Sequence, residues 1–210
     1  MTYRIPSHVG YSEYTEKRSR FLGVVRPVDT EEDARAVLAE IRRERYDARH
    51  NCWCYRIRNG AERYSDDGEP QGTAGLPMLE VLQKEDVTNI VCVVTRYFGG
   101  ILLGTGGLFR AYTKAARDAL HDAGISEVRR WTECAVSCPY SYYERIRSEV
   151  LTASGLVEKV DYGADVSFSL HIPEETFPIF CSRITDLSSA SIDVIPSDTV
   201  LRSVPVPEDP

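Results

Sequence analysis

Two short stretches hold the residue types and spacings that can do chemistry. The first is Thr95-Arg-Tyr-Phe-Gly-Gly-Ile-Leu-Leu-Gly-Thr-Gly-Gly-Leu-Phe-Arg110. Here an apolar run over residues 90–94 empties into a loop containing Gly99, Gly100, Gly104, Gly106 and Gly107, and a strongly periodic helix follows. A helix start presents about four backbone N–H groups without intrahelical partners, together with roughly half a positive charge, and so favours an anion. Glycines let backbone approach that anion closely, and Arg96 and Arg110 flank the loop with permanent charge. The stretch reads as a phosphate or carboxylate cradle, or else as a tight strand-to-helix turn whose glycines only satisfy backbone angles. No Gly-Lys-Ser/Thr follows, so it is not a Walker A loop, and its spacing departs from the dinucleotide fingerprint Gly-x-Gly-x-x-Gly.

The second stretch is Ser65-Asp-Asp-Gly-Glu-Pro-Gln-Gly-Thr-Ala-Gly75, a turn-rich loop. Asp66, Asp67 and Glu69, converging with His50 and Arg96, would form a pocket that acts on a phosphorylated small molecule, the carboxylates holding Mg²⁺ or serving as base. The same Asp and Gly residues are favoured in turns, and an acidic residue ahead of a helix start complements its dipole, so structure alone explains them equally well.

Beyond the glycine loop, Leu108, Ala111, Tyr112, Ala115, Ala116, Ala119 and Leu120 form an inward stripe, while Arg110, Lys114, Arg117 and His121 follow one another on the opposite face. Two functions of different classes emerge. In one, Arg96, Arg110, Lys114, Arg117 and the N–H groups of Gly106 and Gly107 hold RNA phosphates, with Tyr97 or Tyr112 as stacking or core residues. In the other, the His50, Asp66, Asp67, Glu69 and Arg96 pocket is an active site. The binding function is preferred, because no Ser-His-Asp order, metal-ligand cluster or nucleotide motif is compelling. It requires no catalytic residue, metal or cofactor.

The elements that position these residues belong to a chain of 210 residues, long enough to bury roughly 70% of its unfolded surface without staples. The six cysteines, at 52, 54, 92, 134, 138 and 181, are sparse and one sits inside the apolar strand, so they read as reduced thiols of a cytoplasmic protein. Cys52-Trp-Cys54 without a second pair is a weak zinc signal. No signal-peptide core is present and no apolar run approaches the roughly 20 residues of a membrane helix, so no membrane partner is expected. The net charge of −7 argues against indiscriminate nucleic-acid binding, and DNA is not expected as a partner. The charge is uneven: residues 1–130 carry 20 Lys and Arg against 19 Asp and Glu, whereas residues 131–210 carry 5 against 13. A polyanion should therefore meet the first part and be repelled by the second.

Residues 11–14 and 20–28 read as extended, and Asp29-Thr30 opens a helix carrying Ala34, Val37, Leu38 and Ile41, with Arg42, Arg43 and Arg45 as a solvated, dipole-matched end. Residues 50–58 alternate as a strand, with Asn51, Trp53, Tyr55 and Ile57 as its core face and His50, Cys52, Cys54, Arg56 and Arg58 as its open face. A short buried helix is expected over 76–84. A break near 124–131 starts a second unit, in which Tyr143, Ile146, Val150 and Leu151 point inward from a helix and Val166, Phe168, Leu170 and Ile172 alternate along a strand. The order of the second unit is β-α-β-β-α-β, the ferredoxin-like arrangement.

At Ser65-Asp-Asp-Gly-Glu-Pro-x-Gly-Thr-Ala-Gly-x-Pro-Met-Leu79 and Arg96-Tyr-Phe-Gly-Gly-Ile-Leu-Leu-Gly-Thr-Gly-Gly-Leu108, with His50-x-Cys-Trp upstream, the chain resembles the YigZ/IMPACT family over essentially its whole length. The resemblance implies an α+β fold of two domains. An N-terminal domain at 1–128 would be a β/α sandwich similar to domain 2 of ribosomal protein S5, and a ferredoxin-like βαββαβ domain would occupy 131–196. Residues 197–210 would form a proline-rich acidic tail that frays. The resemblance also implies a translation-linked regulator with RNA or the ribosome as partner and a possible protein partner in translational control. Eukaryotic relatives act there through an added N-terminal domain with no counterpart in this sequence.

Overall fold

The computed structural model describes residues 2–206 as an α+β protein of two compact units, one formed by 3–127 with 204–206 and the other by 128–203 with Thr2. In chain order the first unit holds β1 (Tyr3–Pro6), β2 (Gly10–Glu16), β3 (Ser19–Pro27), α1 (Glu31–Glu44), β4 (His50–Arg56), β5 (Glu62–Ser65), α2 (Gly75–Lys84), β6 (Ile90–Tyr97) and α3 (Thr105–Ala123). Strand β7 (Ile125–Cys138) follows, and then α4 (Tyr143–Thr152), β8 (Leu156–Tyr162), β9 (Val166–Pro173), α5 (Phe177–Ser188) and β10 (Val194–Pro205).

The first unit is built on a sheet of order β2-β3-β6-β4-β5 in which neighbouring strands run antiparallel. Central β6 is buried along almost its whole length, as its unbroken Ile-Val-Cys-Val-Val run requires of a strand covered on both faces. On one face, Val24, Val28, Tyr55, Val91 and Val93 meet Ala34, Leu38 and Ile41 of α1. On the other, Phe21, Cys52, Cys54, Cys92 and Val94 meet α2 and the alanine stripe of α3. Helix α1 starts with a capping box, Thr30 Oγ1 accepting from the Asp33 N–H at 3.1 Å while the Asp33 carboxylate accepts from the Thr30 N–H at 3.0 Å.

The double covering corrects the expected open face of β4, because Cys52 and Cys54 are fully buried beneath α2 and α3. Burial pushes both thiols above their usual range. The Arg45 side chain is likewise not a solvated helix end, since it donates to the Leu22 carbonyl at 3.0 Å and to Thr95 Oγ1 at 2.9 Å.

The second unit carries the β-α-β-β-α-β order, and Val166, Phe168, Leu170 and Ile172 of β9 form its core with Ile146 and Val150 of α4 and Phe180 and Ile184 of α5. Leu151, expected inward, is instead exposed. The expected break near 124–131 is occupied by continuous β7, within which the boundary between the units falls. The expected fraying tail also changes. Residues 197–205 lie in β10, which pairs with β7, because its backbone groups find a ladder that composition alone does not reveal; positions 207–210 lie outside the described residues. Among the described residues no helix is long and apolar enough to cross a membrane.

Candidate functional site

The antiparallel β4–β6 pairing sets His50, at the start of β4, opposite Arg96, while β5 leads into the 65–75 loop and β6 into the glycine loop. Between these loops lies a cavity of about 430 Å³ in the first unit, with Arg49, His50, Glu69, Arg96, Phe98 and Thr105 among its walls. That volume lies within the roughly 300–1,000 Å³ of small-ligand pockets.

Arg96 is only 6% exposed, which corrects its expected role as an open flank for a polyanion. Its Nη1 donates to Glu69 Oε1 at 2.7 Å, its Nη2 to Ser19 Oγ at 3.4 Å, and the guanidinium carbon lies 5.6 Å from the centre of the Phe21 ring and 5.4 Å from that of Phe98. Tyr112 donates to the same Glu69 oxygen at 2.8 Å, and burial is the main cause that raises the Tyr112 phenol. Arg96 lines the cavity, while its Nε is itself buried and has no hydrogen-bond partner among the described residues.

The acidic loop holds itself together. Asp66 accepts from the N–H groups of Gly72, Ala74 and Gly75 at 2.8, 3.0 and 2.8 Å, closing the loop onto the start of α2. Asp67 accepts from the Asn51 N–H at 2.7 Å and from Arg42 at 3.0 Å. Neither carboxylate is on the cavity wall, so Asp66, Asp67 and Glu69 do not converge, and only Glu69, already paired, faces the space. His50 Nδ1 lies 2.8 Å from the Asp67 carbonyl oxygen. A carbonyl oxygen only accepts, so Nδ1 carries the proton of this hydrogen bond, and in the neutral ring Nε2 is the acceptor.

The five loop glycines divide by cause. A Cβ on Gly99 would collide with the backbone of Arg18 and Ser19, so this glycine serves close packing. Gly100 and Gly104 have φ of 83° and 73°, the left-handed region that favours glycine, and Gly104 is the N-cap of α3. A Cβ on Gly107 would come within 2.9 Å of Leu103. Gly106 alone is free of such demands, the nearest atom to its virtual Cβ being Arg110 Nη1 at 3.6 Å. The start of α3 has no side-chain cap among the described residues, and Gly104 and Thr105 at that start line the cavity.

This division makes Gly106→Ala informative. Alanine should stabilise the helix by about 0.5–1 kcal/mol while its methyl group obstructs an anion at the N–H groups. A higher thermal midpoint with weaker RNA binding is expected. Unchanged RNA binding would remove the helix start from the site.

Along α3, Arg110, Lys114 and Arg117 are exposed as expected. Lys114 pairs with Asp118 at 2.7 Å and Arg110 shares a small recess with Glu16, so acidic groups interrupt the stripe. The sequence reading missed Arg49, an exposed cation at the cavity rim, and the apolar wall of Phe98 and Leu102. The signal for Arg49 was its place directly before His50, legible only once β4 is paired with β6.

Residues 17–120 match the Impact N-terminal domain and residues 136–191 match a domain of unknown function, DUF1949. The chain is 34% identical to IMPACT family member YvyE of Bacillus subtilis (strain 168) over 195 residues, spanning 92% of this chain and 90% of that protein. It is 36% identical to IMPACT family member YigZ of Escherichia coli (strain K12) over 183 residues, spanning 85% and 90%. A crystal structure described as that of a hypothetical protein aligns with a TM-score of 0.59 at 33% identity, covering 94% of this chain and 98% of the other.

Proposed function

The chain belongs to the IMPACT family, and from that premise we propose that its first unit binds RNA, on the ribosome or another structured RNA, as a translation-linked regulator. One observation carries the reading: the uncapped start of α3 lines the same cavity as Arg49, and exposed Arg110, Lys114 and Arg117 follow it along the helix. Backbone N–H groups and point cations in a line suit the regularly spaced phosphates of a polynucleotide, and they give affinity with little reading of sequence. The acidic residues along the stripe keep that affinity modest.

The test is equilibrium binding of the full chain to a ribosomal RNA fragment over a salt series. About three phosphates engaged give a slope of log affinity against log salt of roughly −2 to −3. Absent or salt-independent binding would contradict the proposal.

One observation favours a second reading, an enzyme acting on a phosphorylated small molecule. His50 is oriented by the Asp67 carbonyl through Nδ1 and lines the cavity, and in the neutral ring Nε2 is then the acceptor that a general base needs. On this reading His50→Gln abolishes turnover in a screen of phosphorylated metabolites and leaves RNA binding intact. Asp67→Asn acts only through the loop it holds.

A further inference from the structure

The cavity beside α3 has two chemically different kinds of lining. The polar lining is the uncapped α3 start at Gly104 and Thr105, the Arg49 cation, and Arg96, which is already paired with Glu69. The apolar lining is left partly in water, with Phe98 44% exposed and Leu102 81% exposed. An anion alone would satisfy the first and leave the second wet. A purely apolar ligand would bury the second and leave the N–H groups and cations unanswered.

We propose that this cavity takes one unpaired nucleotide of the bound RNA, its phosphate at the α3 start and Arg49 and its base against Phe98 and Leu102. The inference rests on the RNA-binding reading and adds to it the part of the RNA that is recognised. A paired nucleotide is excluded by size, because a cavity of about 430 Å³ admits a single nucleotide and not a duplex. Base stacking on an aromatic ring tolerates any sequence, in keeping with phosphate contacts that do not read bases. Arg96, held by Glu69, fixes the Phe98 side of the wall through its contact with that ring.

The experiment compares binding of the full chain to a blunt RNA duplex and to the same duplex carrying a single-stranded extension. The extension is expected to tighten binding about tenfold or more. Phe98→Ala combined with Leu102→Ser, two exposed positions whose replacement spares the core, should make the chain bind the two RNAs alike. Uridine monophosphate should compete with the extension where inorganic phosphate at equal concentration does not. Equal binding of both RNAs by the unaltered chain overturns the nucleotide pocket and leaves RNA binding standing. An extension preference that survives the double substitution, or equal competition by phosphate, also overturns the pocket. Failure to bind either RNA overturns the RNA-binding reading and this inference with it.

Discussion

Replacing Glu69 by alanine is expected to destabilise the first unit by about 3–5 kcal/mol. Arg96 and Glu69 meet at 2.7 Å with side chains 7% and 3% exposed. Removing the carboxylate strands a buried guanidinium beside the Phe21 and Phe98 rings. It also takes the acceptor from the buried Tyr112 hydroxyl. For a chain of this size the loss corresponds to a drop of roughly 6–20 °C in the thermal midpoint of that unit. Replacing both partners together, Glu69→Leu with Arg96→Met, should recover the part of the loss due to the stranded charge and leave the part due to the Tyr112 hydroxyl. Thermal unfolding by circular dichroism checks both variants. A cost for Glu69→Ala of under about 1 kcal/mol, the level of a surface pair, would mean that the pair is solvated and the cavity wall is not the rigid feature described above.

The second large effect is on binding. Arg110→Glu, Lys114→Glu and Arg117→Glu together should lower affinity for structured RNA by on the order of 100-fold at low salt, with the salt slope falling towards zero. These side chains are exposed, and the Lys114–Asp118 ion pair that is lost is itself half-exposed and worth under about 1 kcal/mol. The thermal midpoint should therefore move little. RNA affinity preserved in the triple variant would place the binding surface elsewhere.

Local signals in the sequence were enough for much of this architecture. The Thr30 start of α1, the alternation of Val166 to Ile172 and the alanine stripe of α3 each specify an element from a few neighbouring residues, and the structure has each of them. What stayed hidden depends on pairings distant in sequence. Period-two alternation in β4 separates two faces but does not say that helices cover both, so Cys52 and Cys54 were placed in the open. Arg96 looked like a surface cation because its partner Glu69 lies 27 residues earlier in the chain. Short β1 and β5, and the length of β10, are set by the strands they join rather than by their own composition.

In the site, the glycine loop and the exposed cations of α3 were legible, but not the Glu16 and Asp118 carboxylates that interrupt them. The division of labour among the carboxylates was not. Asp66 and Asp67 have the spacing of a reactive cluster, and only the hydrogen bonds to Gly72, Ala74, Gly75 and Asn51 reveal them as fasteners of the loop.

The account turns on RNA meeting the start of α3, and amide chemical shifts of the full labelled chain, titrated with a ribosomal RNA fragment, test this most directly. The largest shifts are expected at Thr105, Gly106, Gly107 and Arg110, with smaller ones at Arg49 and His50. Shifts confined to residues 128–203, or no shifts at saturating RNA, would contradict it.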